Sequence, residues 1–139
     1  MRMKPVLEAA DAAKIMAAAK AEAAKNGWRV TIVIVDEGGT LMALERMDGA
    51  PLKSPDIATE KARTAALFRR PSKIFQDLVK DNPGMLGLPV LPLQGGVPLM
   101  SGGECVGAIG VSGVQAHEDE QVAAAGAAAL SELYGATRA

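Results

Sequence analysis

Residues 30–47 read VTIVIVDEGGTLMALERM, and this stretch decides the architecture. Residues 30–35 are β-branched at every position, so neither face of the segment is polar. That pattern suits a strand in the middle of a covered sheet better than one with a wet face. Asp36-Glu37-Gly38-Gly39 permits the positive φ angles of a tight turn, and residues 41–47 return as a second strand. A tight turn joins only antiparallel neighbours, so the sheet starts as an antiparallel hairpin.

Working outward, Leu7, Ala10, Ile15 and Ala18 fall on one stripe at helical spacing. Asn26-Gly27 follows as a helix stop, placing a first helix over residues 7–25. Beyond the hairpin, Ser54-Pro55 reads as an N-cap followed by the first helical residue. Ala58, Ala62 and Ala65 then form a stripe of small side chains that lets this second helix lie close to its neighbour, ending near Phe68. Pro71 stops it, Ser72 caps a short third helix containing Ile74 and Leu78, and Asn82-Pro83-Gly84 breaks that helix in turn. Residues 81–96 form a connection whose apolar side chains, among them Met85, Leu86 and Leu91, pack it on the body. A second hairpin follows over residues 97–111, with its turn at Gly102-Gly103. Val122, Ala125, Ala129, Leu130 and Leu133 mark a final amphipathic helix. The expected fold is therefore α/β in the α+β sense: an antiparallel sheet flanked by helices.

The chain has 139 residues, 49% of them apolar and 22% charged, which is enough for one sizeable core and predicts a single domain over residues 1–139. Aromatic residues make up only 3%. A core of Ala, Val, Leu, Ile and Met favours close backbone packing or a large interface between copies, so a homo-oligomer is expected. A net charge of −1 offers no field for a phosphate backbone, and the scarce aromatics offer no stacking platform, so nucleic acid is not an expected partner. Neither a secretory signal nor a bilayer-spanning apolar run is read from the sequence, so the expected location is the cytoplasm, away from membranes.

The polar residues that stand out lie in residues 36–39, 46–49, 61–72 and 92–96. Around the second helix Lys53, Lys61, Arg63, Arg69, Arg70 and Lys73 outnumber Asp56 and Glu60. This basic stretch reads as a site for a small anion, since Arg holds a carboxylate bidentately and backbone amides near Gly95 and Gly96 can add to it. It also reads as a solvated helix face. Lys61 and Thr64, three apart, share one helix face. Glu118, Asp119 and Glu120 sit where the last helix begins. They either complement its dipole or put Asp119 or Glu120 beside the glycine-rich turn at residues 110–113 as an acid or base. Asp36 and Asp48 flank the first hairpin, where an Asp bonds its own backbone or moves a proton. A structural zinc site needs about four N or S ligands. One His and one Cys cannot supply them within one chain, so no metal site is expected. The segment GAIGVSG, residues 107–113, lacks the spacing of a phosphate loop or a dinucleotide fingerprint.

Four ordered blocks, VIVDEGGTLMALERMDGA (33–50), KARTAALFRRPS (61–72), PLQGGVPL (92–99) and GECVGAIGVSG with DEQVAAAG (103–126), resemble the family of GlcG, HbpS and the PduO C-terminal domain. The resemblance covers nearly the whole chain. It implies a profilin-like sheet with helices on its faces and assembly into dimers or larger rings. It also marks Lys61, Arg63, Thr64, Gln94, Gly95 and Gly96 as pocket candidates, and names haem as the cofactor or ligand to consider. In its haem-binding members the axial ligand is a His in the first helix, yet residues 7–26 contain none. His117 and Cys105 are then the candidates for an axial ligand to haem iron.

Two functions follow as expectations. The first is a small-ligand-binding protein, with haem as a candidate ligand, whose pocket lies near a subunit interface. The second is a catabolic enzyme of tautomerase, deaminase or hydrolase type acting on a small enamine or keto acid. There Arg46 or Lys61 would hold the carboxylate, and Asp119 or Glu120 would move the proton; Arg46 and Asp48 are ligand-binding candidates in either case.

Overall fold

The computed structural model describes residues 1–134, with side chains to residue 131. The opening hairpin forms as expected: β1 (Thr31–Asp36) and β2 (Leu41–Arg46) pair antiparallel. Asp36 Oδ1 accepts from the amides of Gly38 and Thr40, and Gly39 takes a positive φ of 81°. The second hairpin consists of β3 (Gly96–Ser101) and β4 (Glu104–Ser112), and β4 docks against β1. The sheet is antiparallel throughout, in the order β2-β1-β4-β3. Strand β1 is interior, and residues 30–35 are buried on both faces, as their uniform β-branching requires.

Two helical layers cover the sheet. On one face α2 (Ser54–Phe68) lays Ala58, Ala62, Ala65 and Ala66 against Val33, Val35 and Ala108. The approach is close enough that a Cβ at Gly110 would fall 2.1 Å from the Ala58 carbonyl oxygen, so β4 needs a glycine there. On the other face α1 (Ala9–Lys25) and α4 (Ala116–Tyr134) cover Ile32, Ile34, Ile109 and Val111 with Ile15, Met16, Ala19, Val122 and Leu130. The order of elements and the antiparallel α+β class agree with the sequence reading. Among the described residues no helix is long and apolar enough to cross a membrane.

Local details differ. In α1 the buried stripe is Asp11, Ala12, Ile15, Met16, Ala19 and Ala23, whereas Ala10 is exposed and Ala18 only half-buried. A run this rich in alanine carries little periodic contrast. The helix rotation is set instead by Ile15 and Met16 and by Asp11, whose Oδ2 accepts from the Glu8 amide at 2.9 Å. Leu7 precedes the helix and is buried against Gly107.

Ser54 is no N-cap. Lys53 already has helical backbone, and the Ser54 hydroxyl donates to the Pro51 carbonyl at 2.6 Å and lies 2.8 Å from Thr31 Oγ1, tying the helix start to β1. Ser72 likewise does not cap α3 (Lys73–Asp81). Its hydroxyl donates to the Leu93 carbonyl and accepts from the Gly96 amide at 2.8 Å. The Ser72 hydroxyl is buried beside backbone groups of another segment and the Ser54 hydroxyl between Pro51 and Thr31, and those partners outweigh the cap. The connection after α3 contains a short 3-10 turn, Pro83–Gly87. In α4 Val122 and Leu130 are buried and Ala125 and Ala129 half-buried; the side chain of Leu133 lies outside the described residues.

Candidate functional site

Most of the predicted site residues fall into two separate groups. The first gathers where α2, the start of β3, the end of β4 and the start of α4 meet. Lys61 Nζ donates to the Val111 carbonyl and to Asp119 Oδ2, each at 3.0 Å, and only 4% and 3% of the two side chains are exposed. The other Asp119 oxygen accepts from the Val114 amide at 3.1 Å. Gly95 makes room for this pair: a Cβ there would lie 2.8 Å from Lys61 Nζ, and its φ of 134° is one that side chains other than glycine's resist. Gly96 passes close to the Lys61 carbonyl, and Gln94 Nε2 donates to Glu120 Oε2 at 2.7 Å. The structure thus brings together Lys61, Gln94, Gly95, Gly96, Asp119 and Glu120, from segments far apart in the chain.

The electrostatics of this junction are those of a closed ion pair. Burial pushes the Asp119 carboxyl above its ordinary range, and the charge of Lys61 and the Val114 amide, which pull the other way, do not overcome it. Among the described residues no buried side-chain polar atom there lacks a partner. Thr64 is nearby but differently engaged, its Oγ1 accepting from the Leu91 amide at 2.9 Å. Arg63 is exposed, 3.9 Å from Glu60, beside a depression of about 500 Å³ that includes Leu67, Phe68 and Leu91.

Of the remaining basic residues of the segment, Lys53 is paired with Asp56 at 2.8 Å and Lys73 with Asp77 at 2.6 Å, while Arg69 and Arg70 are exposed. These exposed pairs follow from helical spacing and bring no charge to a common point.

Arg46 and Asp48 belong to the second group, an open depression of about 820 Å³ between the C-terminal end of α1 and the end of β2. Lys20, Trp28 and Arg29 line it with them, as do Glu45, Met47 and Gly49. Gly49, at φ 85°, forms the turn on which Arg29 lies; a Cβ there would be 2.7 Å from Arg29 Cδ and 2.8 Å from Nη1. Lys20 pairs with Glu45 at the rim. Among the described residues neither guanidinium, of Arg29 or of Arg46, has a hydrogen-bond or ion-pair partner. Two unengaged guanidiniums beside a half-buried indole can bind carboxylates at the edge of a flat apolar molecule.

Sequence reasoning found Arg46 and Asp48 but missed Arg29, Trp28 and Lys20. One signal was available: Trp28 is the only tryptophan in the chain and, with Arg29, directly follows the helix stop at Asn26-Gly27.

The two candidate haem-iron ligands named from the sequence lie elsewhere. His117 is exposed on the first turn of α4, and Cys105 is buried in β4, its thiol directed at the Gly107 carbonyl. Among the described residues no cluster of His, Cys, Asp and Glu could hold a metal ion.

Residues 7–128 match the family model described as haem degrading protein HbpS-like. Protein GlcG of Escherichia coli K12 is 43% identical over 114 residues, covering 81% of this chain and 85% of its own length. Among solved structures, a double mutant of Streptomyces reticuli HbpS superposes with a TM-score of 0.85 at 34% identity, covering 92% of this chain and 89% of that one. PduOC in complex with haem gives a TM-score of 0.82 at 27% identity, covering 90% of this chain and 95% of that one.

Proposed function

Because the chain belongs to the HbpS-like family, we propose that it acts as one cytoplasmic domain that binds a small anionic ligand of haem type and associates with copies of itself. Binding is assigned to the depression lined by Trp28, Arg29 and Arg46. The observation that carries this reading is the pair of unengaged guanidiniums, Arg29 and Arg46, lining one open depression together with Trp28. The volume, about 820 Å³, suits a drug-sized or larger planar ligand. The neighbour solved with haem supports the ligand class. The lining fits the carboxylates and the flat ring of haem. It offers the iron no imidazole or thiolate.

Titration of the purified chain with hemin tests the reading. Saturable binding at micromolar concentration is expected. Arg29→Ala and Arg46→Ala should each weaken it about tenfold, the loss of one charge-assisted hydrogen bond, without unfolding, since both side chains are exposed. No saturable binding, or binding unchanged in both variants, overturns it. Light scattering of the same sample reports the assembly.

A second reading, proton transfer on a small enamine or keto acid, draws on the other group. Glu120 stands half-buried at the edge of the Lys61–Asp119 junction and holds Gln94, leaving a carboxylate between buried polar groups and solvent. Turnover of such a substrate that survives Glu120→Gln and Asp119→Asn would remove this assignment.

A further inference from the structure

Resting on the reading that a haem-type ligand occupies the depression lined by Trp28, Arg29 and Arg46, we infer that the site recognises the carboxylates and flat face of its ligand and not its iron. Metal-free tetrapyrrole dicarboxylates are then ligands on equal terms with haem.

Haem iron is held by imidazole, thiolate, phenolate, or a thioether usually acting with an imidazole. Among the described residues lining the depression, Met47 alone is of such a type, and its half-buried side chain packs against the hydrophobic core. Cys105 borders a different depression, beside Lys4 and Arg69, and His117 lies outside both linings. The carboxylate side is built, by contrast. Gly49 leaves Arg29 room to lie across the turn, where any Cβ would meet it below 3 Å, and Arg46 approaches from the end of β2. Lys20, tied to Glu45, borders the same space. Recognition at this site thus belongs to groups that respond to charge and shape, and these are the same in a porphyrin with or without its metal.

The test compares three probes on the full chain: hemin, iron-free protoporphyrin IX, and hemin dimethyl ester, in which both carboxylates are blocked. Hemin and protoporphyrin IX should bind within about threefold of each other, and the ester at least about tenfold more weakly. The hemin spectrum should be high-spin and the same in His117→Ala. Protoporphyrin IX binding tenfold or more weakly than hemin, a low-spin spectrum, or a spectrum changed by His117→Ala would overturn the inference while leaving the haem-binding reading intact. Failure of hemin itself to bind would remove that reading, and the inference with it. Ester binding equal to hemin would overturn the role of the carboxylates.

Discussion

Lys61 and Asp119 meet at 3.0 Å with almost no exposed surface, although one projects from the helix on one face of the sheet and the other from a helix on the opposite face. The pair reaches past the start of β3, where Gly95 supplies the gap. It therefore ties the two helical layers to each other as well as to the sheet, through the Val111 carbonyl of β4.

Removing one partner should be costly. Lys61→Met leaves a buried carboxylate without its cation and should destabilise the protein by about 3 kcal/mol, the low end of the usual cost because an unpaired Asp119 can take up a proton. The double substitution Lys61→Met with Asp119→Leu should recover most of that loss. Urea unfolding of the three proteins checks it; a double variant no better than the single would contradict the view that the cost is an unpaired charge.

The pH dependence has a defined sign. Burial raises the Asp119 carboxyl above its ordinary 3.8, so the folded chain holds this proton more tightly than the unfolded chain. The stability this group contributes is fully present below that ordinary value and declines as the pH rises through the raised one. The advantage of wild type over Asp119→Asn in melting temperature should thus be largest in acid and narrow toward neutral pH. An advantage that widens on the way up would reverse the assignment.

Two glycines with positive φ should respond differently to alanine. Gly95→Ala places a Cβ 2.8 Å from both Lys61 Nζ and the Val111 carbonyl oxygen and should cost at least about 2 kcal/mol. Gly102→Ala, with nothing within 4 Å of the new atom, should cost only the backbone strain, about 1 kcal/mol. Equal losses in thermal unfolding would mean that crowding at Gly95 contributes nothing.

Cys105 should behave as an inert thiol. Burial pushes its ionisation above the ordinary thiol range. Labelling by a thiol-specific reagent at neutral pH should therefore be slow in the folded protein and become rapid in denaturant. Fast labelling of the native state would show an accessible thiolate.

Much of this was legible before any coordinates. The interior strand followed from six consecutive β-branched residues, and the two hairpins from their glycine turns. The α2 contact followed from alanines at helical spacing. These signals survive translation into structure because each depends on the backbone preferences of neighbouring residues and on one hydrophobic period. Where the period lost contrast, in the alanine-rich α1, the reading slipped around the helix; where a serine could satisfy either a cap or a distant carbonyl, it chose the wrong partner.

The candidate sites divide along the same line. The residues of the junction were named from the sequence, but Lys61 and Asp119 lie 58 positions apart, and only the crossing of β3 between the two helical layers decides that they neutralise each other. The region counted as basic in the sequence is mostly paired in space, whereas Arg29, unremarked in the chain, lines the same depression as Arg46 because α1 ends beside β2. By itself, then, the sequence determined the elements, their order and the residue types available for chemistry, all of them consequences of local preference. Which charges meet, which are buried and which remain open to a ligand was settled only by tertiary packing, because a charge takes its energetic meaning from the surroundings the fold provides.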